Sequence, residues 1–153
     1  MYKMDQFPPI TEEQRQRLIT GRKAPVFGLL GMRVDNVEAG HSWLSLPFRD
    51  ELTHAGGFVQ GGIITALADA AVAFAVWSVI DGTHQDQTSI DLKMNFIRPA
   101  AGDMRAEGWL IHLGGRTAVG ESVVLNGQDK PIAKCLSSVM IVERAYMPKY
   151  QER

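Results

Sequence analysis

Between Ile63 and Ile80 only Thr65, Asp69 and Ser78 interrupt an otherwise apolar run. The run is rich in alanine, a strong helix former, and its length predicts a helix of several turns. A helix that is apolar on every side must be covered on most of its surface. The rest of the chain therefore has to wrap around it. The run approaches the ~20 residues of a membrane span. Its alanine content, the acid at Asp69 and the polar/apolar alternation that follows favour a buried core helix instead.

An ionised carboxylate in such surroundings is costly to bury, so Asp69 is expected to be paired, shifted in pKa or placed in a working cavity. The helix opens on Gly61-Gly62. Helix starts leave backbone N–H groups unsatisfied and carry partial positive charge, and glycine lets a ligand approach them. One segment thus offers an oxyanion-binding helix start and an acid or base further along. Acyl transfer needs that pair.

The chain has 153 residues, the size of one domain with one core. Its net charge of −1 comes without blocks of like charge, which excludes a nucleic-acid tail. A single cysteine, Cys135, excludes an intrachain disulfide framework and a cysteine-based metal cluster, and it reads as a core residue. His41, His84 and His112 show no ligand spacing, so no metal is expected. Residues 1–10 have no apolar h-region of a signal peptide. A cytoplasmic, reducing location is expected, with no nucleic-acid or membrane partner.

Along the chain, Thr11-Glu12-Glu13-Gln14 reads as a capping box that starts a helix over 11–20. Residues 27–34 read as a strand entering a turn, and His41 to Pro47 as a second strand. Phe48 to Gly57 is loop-like. After Asp81-Gly82, alternation places Ile90, Leu92, Met94 and Phe96 on one buried face, with Ser89, Asp91, Lys93 and Asn95 on the other. Strands follow over Met104 to Leu113, Thr117 to Leu125 and Ile132 to Val142, joined at Gly114-Gly115 and Asn126-Gly127. The expected domain spans 1–153, with a core over about 25–142. It is an α+β domain in which a curved antiparallel sheet, ending in a four-strand meander, wraps one long central helix.

With these residues in place, the chain resembles the hotdog-fold acyl-CoA thioesterases of the PaaI-like family, named for phenylacetate degradation. The block from His54 to Asp69 carries the resemblance, helped by Thr88-Ser89 to Arg98-Pro99-Ala100 and by Gly115-Arg116. Gly57 matches the family's first glycine, Gly61-Gly62 its pair, Leu67 its leucine and Asp69 its acid. Two positions depart: His54 stands where the family has asparagine, and Gln60 where it has histidine. Both can still donate a hydrogen bond.

The resemblance implies hydrolysis of an aryl or short- to medium-chain acyl-CoA, with coenzyme A present only as part of the substrate. Asp69 would be general base or nucleophile, the Gly61 N–H would face the oxyanion, and His54 and Ser89 would assist. Gln60, Gly62 and Thr88 would contact substrate, and Arg98 and Arg116 would meet the coenzyme A phosphates. Phe74, Trp77 and residues around Phe58 would shape an acyl pocket. The resemblance also implies a dimer or dimer of dimers, with the acid placed across the subunit interface. Two alternatives stand beside it: a catalytically silent acyl-ligand binding protein, and a hydratase or dehydratase if His54 pairs with Asp69.

Overall fold

The computed structural model describes residues 6–21 and 24–146. The first five residues and the tail beyond Tyr146 lie outside the described residues. The capping box forms as expected, with Thr11 and Gln14 bonding reciprocally at the start of α1 (Glu12–Gln16). The helix expected over 11–20 is shorter, because a π-helical turn, Arg17–Gly21, takes over after Gln16.

The strand expected over 27–34 is instead α2 (Pro25–Leu30) followed by a later strand. Pro25 sits in the first helical turn, where its fixed φ and missing N–H are tolerated. Gly31, at φ +79°, ends the helix in the left-handed region that suits glycine. The helix turns Phe27 against Phe74, with ring centroids 5.7 Å apart.

The strands are β1 (Arg33–Glu38), β2 (His41–Leu46), β3 (Gln85–Phe96), β4 (Met104–Leu113), β5 (Thr117–Asn126) and β6 (Pro131–Glu143). They form one antiparallel sheet in the order β1-β2-β4-β5-β6-β3. The expected four-strand meander is corrected to three strands, β4-β5-β6. β3 precedes them in the chain but adds to the far side of β6, pairing from Gln85↔Glu143 to Phe96↔Ala133. It is therefore an edge strand. The apolar face expected to be buried on it is only partly covered: Leu92 and Met94 pack on the core, while Ile90 and Phe96 remain more than half exposed.

The central helix α3 (Gly61–Trp77) lies against the sheet, capped by Gln60 and ended at Ser78. Leu67, Ala68, Ala71, Val72 and Phe74 are buried against Val37, Leu44, Leu110, Val124 and Val139. Each large apolar side chain so buried contributes about 1.5–3 kcal/mol. Two sheet glycines let the helix sit close. A Cβ on Gly108 would lie 2.5 Å from the Ala71 carbonyl carbon, and one on Gly120 would lie 2.7 Å from Val72. Sheet serines fix the helix from below, Ser42 donating to the Ala71 carbonyl at 2.6 Å and Ser122 to the Ala68 carbonyl at 2.8 Å. The result is the hotdog arrangement. Among the described residues no helix is long and apolar enough to cross a membrane.

Candidate active site

Residues four apart on a helix lie one above the other. Gly61, Thr65 and Asp69 therefore form one stripe along α3, and β3 flanks that stripe at both ends. At the helix start, Gln60 folds over as the cap and its Oε1 accepts the Gly62 N–H. The Gly61 N–H donates to no described residue. It is an open donor at the positive end of a long helix. The Phe96 ring covers the Gly61 Cα from the side, and a Cβ there would meet it at 3.3 Å. The Thr65 hydroxyl donates back to the Gly61 carbonyl at 2.9 Å, which stiffens the first turn.

At the other end of the stripe, Asp69 is partly buried and its Oδ1 accepts the Ser89 hydroxyl at 2.7 Å. Simple alternation puts Ser89 on the face opposite Leu92. A bulge between Ser89 and Asp91 leaves Ile90 without a partner on β6, so Ser89 pairs with buried Val139 while Leu92 pairs with buried Ser137. Both then point at α3. Single-sequence reasoning has no signal for this bulge, because Ser-Ile-Asp is ordinary strand sequence.

His54 lies in the exposed loop before α3. Its Nδ1 accepts the Gly56 N–H at 2.9 Å, and its backbone N–H donates to the Phe58 carbonyl at 2.9 Å. With Nδ1 accepting, the neutral ring carries its proton on Nε2, which remains free to donate. His54 makes no hydrogen bond to Asp69. Gly57, at φ +80°, closes this turn.

The remaining expected residues do not gather in one place. Thr88 is exposed and, one residue before Ser89 on the strand, faces away from Asp69. Arg98 donates to the Pro131 carbonyl at 2.6 Å, whereas the Arg116 carbonyl accepts the Ile141 N–H. Pro131 and Ile141 stand ten residues apart on β6, so the two arginines are separated by about 30 Å. One chain cannot bring both to one coenzyme A. Phe74 is corrected from pocket wall to core, packed between Phe27 and Trp77 and 1% exposed. Phe58 stays exposed at the loop.

Cys135 lies under α3 near Asp69. Burial pushes its thiol up to about 11, and the Asp69 carboxylate adds to the effect. It stays protonated at neutral pH and is no nucleophile. Among the described residues, no three His, Cys, Asp or Glu side chains are grouped to hold a metal ion.

Comparison with known proteins bears on the family and the fold. Residues 56–133, the stretch from the α3 loop into β6, match the family model described as Thioesterase superfamily. "Putative esterase SSO2140" of Saccharolobus solfataricus is 30% identical over 81% of this chain and 88% of its own length. The structure of a point mutant of the thioesterase enzyme SAV0944 of Staphylococcus aureus superposes with TM-score 0.75 at 25% identity, covering 77% of this chain and 98% of that one. The PaaI protein of the E. coli phenylacetic acid degradation operon superposes with TM-score 0.75 at 18% identity, covering 85% of this chain and 92% of that one, a likeness of fold.

Proposed function

This chain belongs to the thioesterase superfamily, and from that premise we propose that it hydrolyses an acyl-CoA thioester at a site shared by two copies of itself. The observation that carries the reading is the stripe on α3. It holds a Gly61 N–H without a partner among the described residues at one end and Asp69, steadied by Ser89, at the other. Eight residues of helix separate the two by about 12 Å, too far for one carbonyl to touch both. Two α3 helices running antiparallel bring Gly61 of each copy to Asp69 of the other. Each copy then completes its partner's site.

The thioester carbonyl oxygen sits at the Gly61 N–H, in the field of the helix start. A donor aimed at the developing oxyanion lowers the barrier by about 3 kcal/mol. Asp69 either takes a proton from the attacking water or attacks the carbonyl carbon itself. In the first route the proton passes from water to Asp69 and then to the departing thiolate, leaving free acid and free coenzyme A. In the second, the C–S bond breaks as the acyl–Asp69 anhydride forms, coenzyme A leaves as the thiolate and is protonated by solvent, and water then hydrolyses the anhydride to free acid and the Asp69 carboxylate. Ser89 occupies Oδ1 and leaves Oδ2 to face the substrate.

The antiparallel pairing also resolves the separation of the arginines, because it brings the Arg98 end of one copy toward the Arg116 end of the other. Both side chains suit phosphate oxygens. Among the described residues His54 makes no hydrogen bond to Asp69, the couple that a hydratase reading calls for, and this favours hydrolysis. Free-thiol release from a panel of aryl- and alkanoyl-CoA thioesters tests the reading. Turnover by wild type and loss of at least about a thousandfold in Asp69→Asn are expected. Equal rates in both proteins would remove it, and binding without turnover in wild type would make the chain an acyl-ligand binder.

A further inference from the structure

We propose that His54 is a positioning residue: its neutral ring latches the turn that delivers the chain to Gly61, and protonating the ring opens the latch. The latch stands on the geometry of the turn, and its effect on turnover rests on the thioesterase reading above.

The turn runs from Thr53 to Val59, which close it as an antiparallel bridge. Both ends are tied down. The Gln60 N–H donates to the Leu52 carbonyl at 2.9 Å, and the Val59 N–H donates to the Ala100 carbonyl at 2.8 Å. Gly61, the open donor of the helix start, follows at once. How the turn is held therefore sets where that donor points.

Among the described residues three hydrogen bonds hold the tip of the turn. Two join backbone groups, the His54 N–H to the Phe58 carbonyl and the Gly57 N–H to the His54 carbonyl, both at 2.9 Å. The third runs from the Gly56 N–H to His54 Nδ1, also at 2.9 Å. Asparagine and aspartate make such a bond to the backbone two residues on, and here an imidazole makes it. The ring lies so close that a Cβ on Gly56 would meet its Cε1 at 2.8 Å. Two glycines in succession leave the tip loose by themselves, so the ring supplies the restraint.

Of the three bonds only this last depends on a titrating group. A neutral imidazole has one donor and one acceptor nitrogen, whereas the imidazolium has two donors. A protonated Nδ1 thus meets the Gly56 N–H donor to donor, and the ring must turn away. No ion pair reaches the ring among the described residues. The charged groups on the elements packed against the turn are Asp50 and Glu51, on the helical turn ahead of it, and Arg98, two residues before Ala100. In the shared site Asp69 of the other copy joins them at the helix start. Their balance sets where the ring titrates; none of them lets a protonated Nδ1 accept a hydrogen bond.

The nitrogen–nitrogen coupling that NMR detects across an N–H···N bond reads the latch directly. In the full wild-type chain it is expected between Gly56 N and His54 Nδ1 while the ring is neutral. It should vanish as the ring takes up its proton between about pH 8 and about pH 5. A coupling that persists in the protonated ring, or that is absent from the neutral one, would overturn the latch.

Thioester kcat/KM over the same range reads the consequence. His54→Ala has no acceptor and should lose about fivefold at neutral pH, the contribution of one neutral hydrogen bond. His54→Asn carries an oxygen on Cγ where Nδ1 stands and should regain that loss. Wild type should show an acid limb that His54→Asn lacks, beside the Asp69 limb that both share. Identical pH profiles in these two proteins would overturn the hold of the latch on the site. A wild type without turnover would remove the thioesterase reading, and the coupling then decides the latch by itself.

Discussion

The Ser89 hydroxyl donates to Asp69 Oδ1 at 2.7 Å, and it reaches that oxygen because β3 carries one extra residue, Ile90, just beyond it. The bulge changes the parity of the strand at that point. Leu92 and Met94 pack on the core on one side of it, and Ser89 meets the carboxylate on the other. The strand thus serves packing and chemistry with a single face. Bulges recur beside active sites for this reason.

Ser89→Ala removes the one hydrogen bond that orients the Asp69 carboxylate among the described residues. A bond to a charged group contributes about 1.5–3 kcal/mol, so kcat for thioester hydrolysis should fall about 10- to 100-fold. The thermal midpoint should hardly move, because Ser89 is exposed. Thiol-release kinetics beside a thermal melt check both halves. An unchanged kcat would remove Ser89 from the chemistry.

Gly108 is where α3 presses closest on the sheet. In Gly108→Ala the new Cβ would stand 2.5 Å from backbone atoms of Ala71, which cannot swing aside as a side chain would. Overpacking of this kind costs about 1–3 kcal/mol, and more where backbone must shift. Gly127→Ala is the control, since nothing lies within 4 Å of a Cβ there. Urea unfolding should show a large loss for the first and nearly none for the second.

Much of this site is legible in the sequence, and the reason is helical geometry. Gly61, Thr65 and Asp69 fall on one stripe whatever the sheet does, so a glycine start and an acid eight residues on can be read together. The strands resist such reading for particular reasons. Alternation shows that Ile90, Leu92, Met94 and Phe96 share a pattern, but not that β3 is an edge or that Ile90 is a bulge. Sequence order suggests β3 beside β4, whereas β6 claims it across a longer ladder. Pro25 marked a helix start that the apolar run after it obscured. Arg98 and Arg116 carry the right chemistry, and only the sheet's length shows that they stand at opposite ends of one chain.

His84 and Asp81 form a pair beyond the end of α3, with Nδ1 and Oδ2 2.8 Å apart. The hydrogen bond that the His84 ring donates to Asp81, and the Asp81 charge, raise the His84 pKa above the ordinary 6.5. The same pair, with the Thr83 backbone N–H, lowers Asp81 to about 2. A raised histidine stabilises below its unfolded pKa and loses that contribution as pH rises through the folded value. A lowered aspartate stabilises above its unfolded pKa of 3.8 and loses it as pH falls toward about 2. The pair therefore contributes between these limits. NMR titration should place the His84 ring above 6.5 in wild type and closer to it in Asp81→Asn. An identical titration in both proteins would dissolve the pair.

The shared site is tested most directly by mixing two inactive variants. Gly61→Pro removes the open N–H yet suits the first helical position, since Gln60 before it is extended at ψ 136°. Asp69→Asn removes the carboxylate. Each alone should show almost no thioester turnover. Co-refolded in equal amounts, half the dimers carry one intact site, built from Gly61 of one chain and Asp69 of the other, so about a quarter of wild-type turnover should return. No recovery from a mixture shown to form mixed dimers would contradict a site shared between two copies.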